Sequence, residues 1–249
     1  MSSEAGVRTR APLRRIGLLT ATALALLGGS LTAKPTVAAT SKVPRTQELA
    51  VFLEGQTAMS KPDDGSAHRA WVDRRRPITE GRTVLPVIGH RTGADGARWL
   101  QARLPGRPNN STGWIRKART VRSGTTWRLV IDLSERRVTA YRRGRLVRAF
   151  AAIVGAPATP TPRGTYFVEE TVALRASDAG APYALALSAR SYVLQEFAGG
   201  PGQIALHGLR NVGGTLGTAV SHGCIRLDTA SITWLGERIG PGVPVTISS

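Results

Sequence analysis

The chain is 249 residues long, carries a formal net charge of +18 and is 41% hydrophobic. That apolar share supports a packed core and excludes a largely disordered chain. The charge points to an anionic partner, but the arginines are scattered and few aromatics interleave with them, so a nucleic-acid reader is not expected. The single cysteine, Cys224, excludes an internal disulfide.

Taken from the start, Arg8, Arg10, Arg14 and Arg15 precede an apolar run from Ile16 to Leu31, and Ala33 and Val37-Ala38-Ala39 supply small residues for cleavage. This three-part pattern reads as a signal peptide over residues 1–39. It predicts an exported protein of the cell envelope or extracellular space, bound to a membrane only if the signal is retained. Residues 40–47 read as a linker. Residues 48–120 show short apolar runs split by turn residues: Val84 to Ile88, Trp99 to Leu104 and Trp114-Ile115, with dense turn chemistry from Pro105 to Ser111. The stretch from Trp99 to Ile115 resembles bacterial SH3-like domains, which implies a small SH3-like β-barrel. Basic residues outnumber acidic ones 16 to 7 over residues 41–125 and 13 to 8 over 126–249, so this module is the more basic part.

From Trp127 the alternation sharpens. Leu129, Ile131 and Leu133 share one face, Val138 to Tyr141 returns after a turn at Glu135–Arg137, and Leu146 to Val154 forms a third strand. Prolines in Ala158–Gly164 break the meander, because proline cannot donate into a ladder. Tyr166–Val168 and Ile204–Leu206 are further strands. One helix is expected, capped by Asp228 or Thr229, presenting Ile232, Leu235 and Ile239 on one face and ended by Gly240-Pro241-Gly242. Val243, Val245 and Ile247 alternate as a last strand. The expected fold is mainly β: a catalytic β-sandwich with one clear helix at 126–249, preceded by the small barrel.

The chemistry concentrates in Ser221-His222-Gly223-Cys224-Ile225-Arg226-Leu227 and in His207-Gly208 upstream. A thiol reacts as its thiolate, and an imidazole within reach takes the proton. If the segment is extended, His222 and Cys224 point to the same face. His207 also converges on this point if the chain folds back through Gly213-Gly214. Gly223 lets substrate approach the backbone, the Gly223 and Cys224 amides suit an oxyanion hole, and Arg226 suits a substrate carboxylate. His207, His222 and Cys224 also form a three-ligand set of the zinc type, but nothing nearby repeats a metal spacing, so neither a metal nor a cofactor is expected.

His207-Gly208 followed by Ser221–Leu227 resembles the signature of the YkuD-type L,D-transpeptidases. Thr161–Tyr166 and Gly199–Leu206 agree with it, and the resemblance spans residues 126–249. It implies Cys224 as nucleophile, His207 as general base oriented by a backbone carbonyl, and His222 as a second histidine of the site. It places Ser221, Gly223, Arg226 and Gly208 near the bound peptide. It also implies peptidoglycan stem peptides as substrate, 3→3 cross-links as product, and a substrate lid near Thr171–Tyr183. An L,D-carboxypeptidase using water, or an inactive wall-binding protein, are the alternatives. The basic N-terminal module further suggests anionic cell-wall polymers as partners.

Overall fold

The computed structural model describes residues 43–196 and 200–249. The expected signal peptide and the first residues of the linker lie outside them. Among the described residues no helix is long and apolar enough to cross a membrane.

The first strands are short because turn residues interrupt the apolar runs. They are β1 (Gln47–Phe52), β2 (Gln56–Met59), β3 (His68–Val72), β4 (Val84–Thr92), β5 (Arg98–Arg103), β6 (Thr112–Arg116) and β7 (Thr120–Thr125). They form one sheet in the order β3-β2-β6-β5-β4-β1-β7. The sheet carries its own core of Phe52, Leu85, Leu100, Ile115 and neighbours. Strands β3 and β7 stand at the two ends of this order. The sheet also extends past residue 120: β7 pairs along β1 from Gln47↔Thr125 to Phe52↔Thr120.

Thr126 alone separates this sheet from the next. The second sheet is built from β8 (Trp127–Asp132), β9 (Arg137–Arg142), β10 (Arg145–Ala151), β12 (Gly164–Ala173), β13 (Tyr183–Arg190), β14 (Gln203–Gly208), β16 (Ile225–Leu227) and β17 (Pro244–Ser248). Two short strands, β11 (Val154–Gly155) and β15 (Ala219–Ser221), pair in parallel beside it. The order is β10-β9-β8-β17-β12-β13-β14-β16. Strand β12 is the corner. Its first half, Gly164–Phe167, pairs with β17; its second half, from Val168, pairs with β13; and the register shifts between Val168 and Glu170. A strand that changes partners at a bulge lets two sheet halves face each other over one core. That core joins Leu129, Ile131 and Val138 of one half to Leu185, Leu187, Leu206 and Ile225 of the other.

The helix α1 (Thr229–Gly236) closes the core with Ile232 and Leu235. Asp228 is its cap, accepting from Ser231 N at 2.9 Å. The helix stops at Gly236, before the Gly240-Pro241-Gly242 expected to end it. A Cβ at Gly236 would lie 2.3 Å from the Tyr183 ring. Ile239 stays buried because its amide still reaches Leu235 O, at 2.8 Å.

The two sheets share a buried seam. Phe167 of β12 belongs to the core of the N-terminal sheet. Glu169 and Glu170, on the same strand, are about 1% exposed. Glu169 pairs with Arg76 of the N-terminal sheet and with Arg190 of β13, the latter at 3.0 Å. Glu170 accepts from Thr79 N and Thr79 Oγ1, both at 2.8 Å.

Candidate active site

Strands β14 and β16 run parallel at the end of the second sheet, with Leu206↔Ile225 and His207↔Arg226 as partners. Leu206 and Ile225 face the core and are fully buried. The alternate face is half-buried and carries Gln203, Ala205 and His207 from β14 with Arg226 from β16. Cys224 immediately precedes Ile225, so the register sets it beside Ala205. Cys224 and His207 therefore emerge on one face, one diagonal step apart. The Cys224 Sγ lies 4.0 Å from Gln203 O.

His207 is fixed from two sides. Its Nδ1 lies 2.8 Å from Gly208 O. A carbonyl only accepts, so Nδ1 carries the proton and Nε2 keeps its lone pair. Gly180 packs on the ring: a Cβ there would lie 2.5 Å from Nδ1, and its φ of +85° suits glycine. Gly208 N donates to Gly180 O at 2.7 Å, so the loop after β12 and the end of β14 are tied together behind the imidazole. Across the ladder, Ala184 and Ala186 stand opposite His207 and Ala205.

Burial dominates the electrostatics. It pulls the His207 imidazole below its ordinary value, and the positive charge of Arg226 adds to this, while the hydrogen bond to Gly208 O opposes it. Burial pushes the Cys224 thiol above its ordinary value, against the Ala205 backbone amide and the charge of Arg226, which both favour thiolate. Both shifts favour the neutral thiol beside the neutral imidazole.

The turn from Ser221 to Cys224 is held by short hydroxyl groups. Ser221 is buried; its Oγ donates to Cys224 O at 2.5 Å and accepts from Gly223 N at 3.1 Å. Thr161 Oγ1 donates to Gly223 O at 2.8 Å and accepts from Gly155 N at 2.9 Å. Thr159 Oγ1 donates to Ser221 O at 3.0 Å. Gly223 has φ of +114°. These facts revise three expectations. The turn is not extended, so His222 and Cys224 do not share a strand face; His222 is exposed while Cys224 is half-buried. The Gly223 amide, read as an oxyanion donor, is already given to Ser221. Ser221 and Gly208, expected near the peptide, have their polar atoms committed to shaping the turn and seating His207.

Arg226 reaches back to Val212 O and Gly213 O at 3.5 and 3.4 Å. Gly213 and Gly214 both have positive φ, which provides the fold-back between the two motifs. Arg226 Nε is buried and has no hydrogen-bond partner among the described residues. A cleft of about 450 Å³ opens nearby, bordered by Gly155, Pro160, Thr161, Arg163 and Tyr192. Neither Cys224 nor His207 borders it, so the strand edge locates the chemistry rather than the cleft. Thr161 links the two, bordering the cleft and holding Gly223 O. Sequence reasoning missed Thr159, Thr161, Gly180 and Ala205. The proline-rich segment around Thr161 was noticed only as a strand breaker and a family turn. In the segment read as a substrate lid, Thr171–Ala173 continue β12, residues 174–182 form the turns that lead to β13, and Gly180 is buried support for His207.

Residues 126–247 match the model of the YkuD family, the L,D-transpeptidase catalytic domain. A Bacillus licheniformis protein named as an L,D-transpeptidase, YkuD, is 30% identical over 125 residues, covering 49% of this chain and 66% of its own length. The chain thus spans just under two thirds of that relative. L,D-transpeptidase 1 of Mycobacterium tuberculosis is 26% identical over 244 residues, covering 87% of this chain and 92% of its own. Among solved structures, an L,D-transpeptidase from Mycobacterium smegmatis aligns with a TM-score of 0.39 at 18% identity, over 66% of this chain and 99% of its own. One from M. tuberculosis aligns with a TM-score of 0.43 at 17% identity, over 67% and 90%.

Proposed function

We propose that the protein, whose residues 126–247 match the model of the YkuD family of L,D-transpeptidase catalytic domains, is an exported wall enzyme whose Cys224 transfers acyl groups between peptidoglycan stem peptides. The observation that carries the reading is His207: its Nδ1 is committed to Gly208 O, and its Nε2 is left as acceptor on the strand face that bears Cys224.

In the resting site the thiol is neutral, so the step begins with proton transfer. The Cys224 Sγ attacks the carbonyl of the L,D-amide while His207 Nε2 takes the thiol proton. The C–N bond breaks, the imidazolium protonates the leaving amine, and a thioester remains. The amine of a second stem then attacks, giving its proton to His207, and the Cys224 sulfur leaves to take that proton back. The product is a 3→3 cross-link. Arg226, with a buried donor to spare, suits the substrate carboxylate, and the Cys224 amide suits the oxyanion. Ser221, Thr159 and Thr161 position the turn.

Mass spectrometry of muropeptides after incubation with a disaccharide-tetrapeptide tests the reading. Wild-type protein is expected to give a cross-linked dimer, and Cys224→Ser to give none while remaining folded. Trimmed monomer in place of dimer would make the enzyme an L,D-carboxypeptidase. No change with folded wild-type protein would overturn the assignment.

A further inference from the structure

We propose that Arg107, carried by the β5–β6 turn of the N-terminal sheet, is a positioning residue for the Cys224–His207 pair. The inference rests on the acyl-transfer reading, but its geometry stands apart from it.

Arg107 reaches across the seam to three backbone carbonyls. Its Nη2 donates to Ser191 O at 2.8 Å and to Leu194 O at 3.2 Å, and its Nη1 donates to Pro201 O at 2.9 Å. Ser191 and Leu194 leave β13, whereas Pro201 leads into β14. One guanidinium therefore ties together both ends of the connection between two adjacent strands. The ends also meet directly, through Ser191 N to Gly202 O at 2.8 Å. Gly202 has φ of +63°, and a Cβ there would lie 1.9 Å from Leu194 O, so the approach is too close for a side chain. Asn109 extends the tie in both directions, donating to Arg190 O and accepting from Arg190 N, each at 2.8 Å. Asn110 Oδ1 accepts from Thr165 N at 2.8 Å.

What these bonds fix is the start of β14. Gln203 follows Gly202 directly, and its carbonyl is the polar contact of Cys224 Sγ. Ala205 supplies the amide that favours thiolate, and His207 is the next residue on that face. At the other end of the connection, Tyr192 follows Ser191 and borders the cleft shared with Thr161. The planar fork of Arg107 is the shape that holds several carbonyls at once. Docking of the two sheets has further support from Phe167 and from the Arg76–Glu169–Arg190 pairs, whose Arg190 backbone is held by Asn109 rather than by Arg107. Arg107 itself is exposed overall, so its removal takes little from the core.

The test compares full-length wild type, Arg107→Ala and Arg107→Lys by melting temperature, tetrapeptide kinetics and the pH profile of iodoacetamide alkylation at Cys224. Arg107→Ala is expected to keep the wild-type melting temperature and lose on the order of tenfold to a hundredfold in kcat, as a small misplacement of reacting groups does, with KM little changed. Its alkylation profile should shift along the pH axis, and Arg107→Lys should recover only part of the loss. The proposal is overturned if kcat stays within twofold and the alkylation profile superimposes on wild type, or if activity falls only in step with melting temperature. Alkylation needs no peptide, so wild-type protein inactive on tetrapeptide would sink the acyl-transfer reading while the profile still decides the role of Arg107.

Discussion

The edge that carries Cys224 and the seam beneath the N-terminal sheet are held by opposite means. At the edge the supports are short: Ser221, Thr159 and Thr161 bind backbone atoms of the turn, and glycines stand wherever a Cβ would collide. At the seam the supports are long and charged: Arg76, Arg190 and two buried glutamates meet between the sheets. Short bonds to backbone fix positions closely, which a reacting pair needs. Buried ions are indifferent as a source of net stability but costly to leave unpaired. The edge thus sets geometry, and the seam decides which surfaces may meet.

This contrast predicts where damage falls. After loss of the Cys224 nucleophile itself, the largest effect on activity should come from His207→Ala. Loss of a general base costs on the order of a hundred- to ten-thousand-fold, and the melting temperature should hardly move, because the imidazole lies on the half-buried face. Tetrapeptide turnover and a melt on the same sample check both halves; a rate within tenfold of wild type would contradict the assignment.

Glu169→Ala should show the reverse pattern. It leaves Arg76 and Arg190 buried without their shared carboxylate, a loss of about 3–5 kcal/mol for a buried pair broken on one side. Burial already pulls the Arg190 guanidinium down to about 10, and the Glu169 carboxylate lies 3.0 Å from it. Urea unfolding should show the loss; a midpoint equal to that of wild type would mean the seam does not need the ions. Thr161→Val sits between the two cases. It keeps the volume but strands Gly223 O and Gly155 N, costing about 1–3 kcal/mol. The damage should be local, appearing as faster amide exchange over Ser221–Cys224 rather than over the N-terminal sheet.

The same contrast explains what was legible in the sequence. The turn from Ser221 to Leu227 announced itself because thiol, imidazole and glycine are rare together and carry chemistry by type. Helix α1 was visible from the spacing of Ile232 and Leu235 and its Asp228 cap. Strand β13 was not visible: Ala184, Ala186, Ser188 and Ala189 have little β preference, and the strand owes its place to neighbours on both sides. The seam was hidden for a stronger reason. Nothing local in Glu169-Glu170 indicates burial, since acidic residues are almost always exposed unless paired, and their partners Arg76 and Thr79 lie some ninety positions away. Arg107 to Asn110 read as turn chemistry, which they are, but their side chains work on strands far along the chain.

The smallest effect should come from His222→Ala, and it isolates the electrostatics of the edge. The positive φ at Gly223 turns His222 off the face of Cys224, so its loss should cost well under the roughly hundredfold expected of a base. The pH profiles should then separate the two histidines. Burial holds the Cys224 thiol above its ordinary value, so the alkylation rate of wild-type protein should still be climbing at pH 9 rather than levelling there. Burial holds His207 below its ordinary value. Acyl transfer uses the neutral imidazole, so its rate should persist as pH falls through 6.5 and decline only below it. His222→Ala should leave the acidic limb of that profile where it is, whereas His207→Ala should abolish it. An acidic limb that moves with His222 and ignores His207 would reassign the base, and with it the claim that the strand edge, not the turn, supplies the proton acceptor.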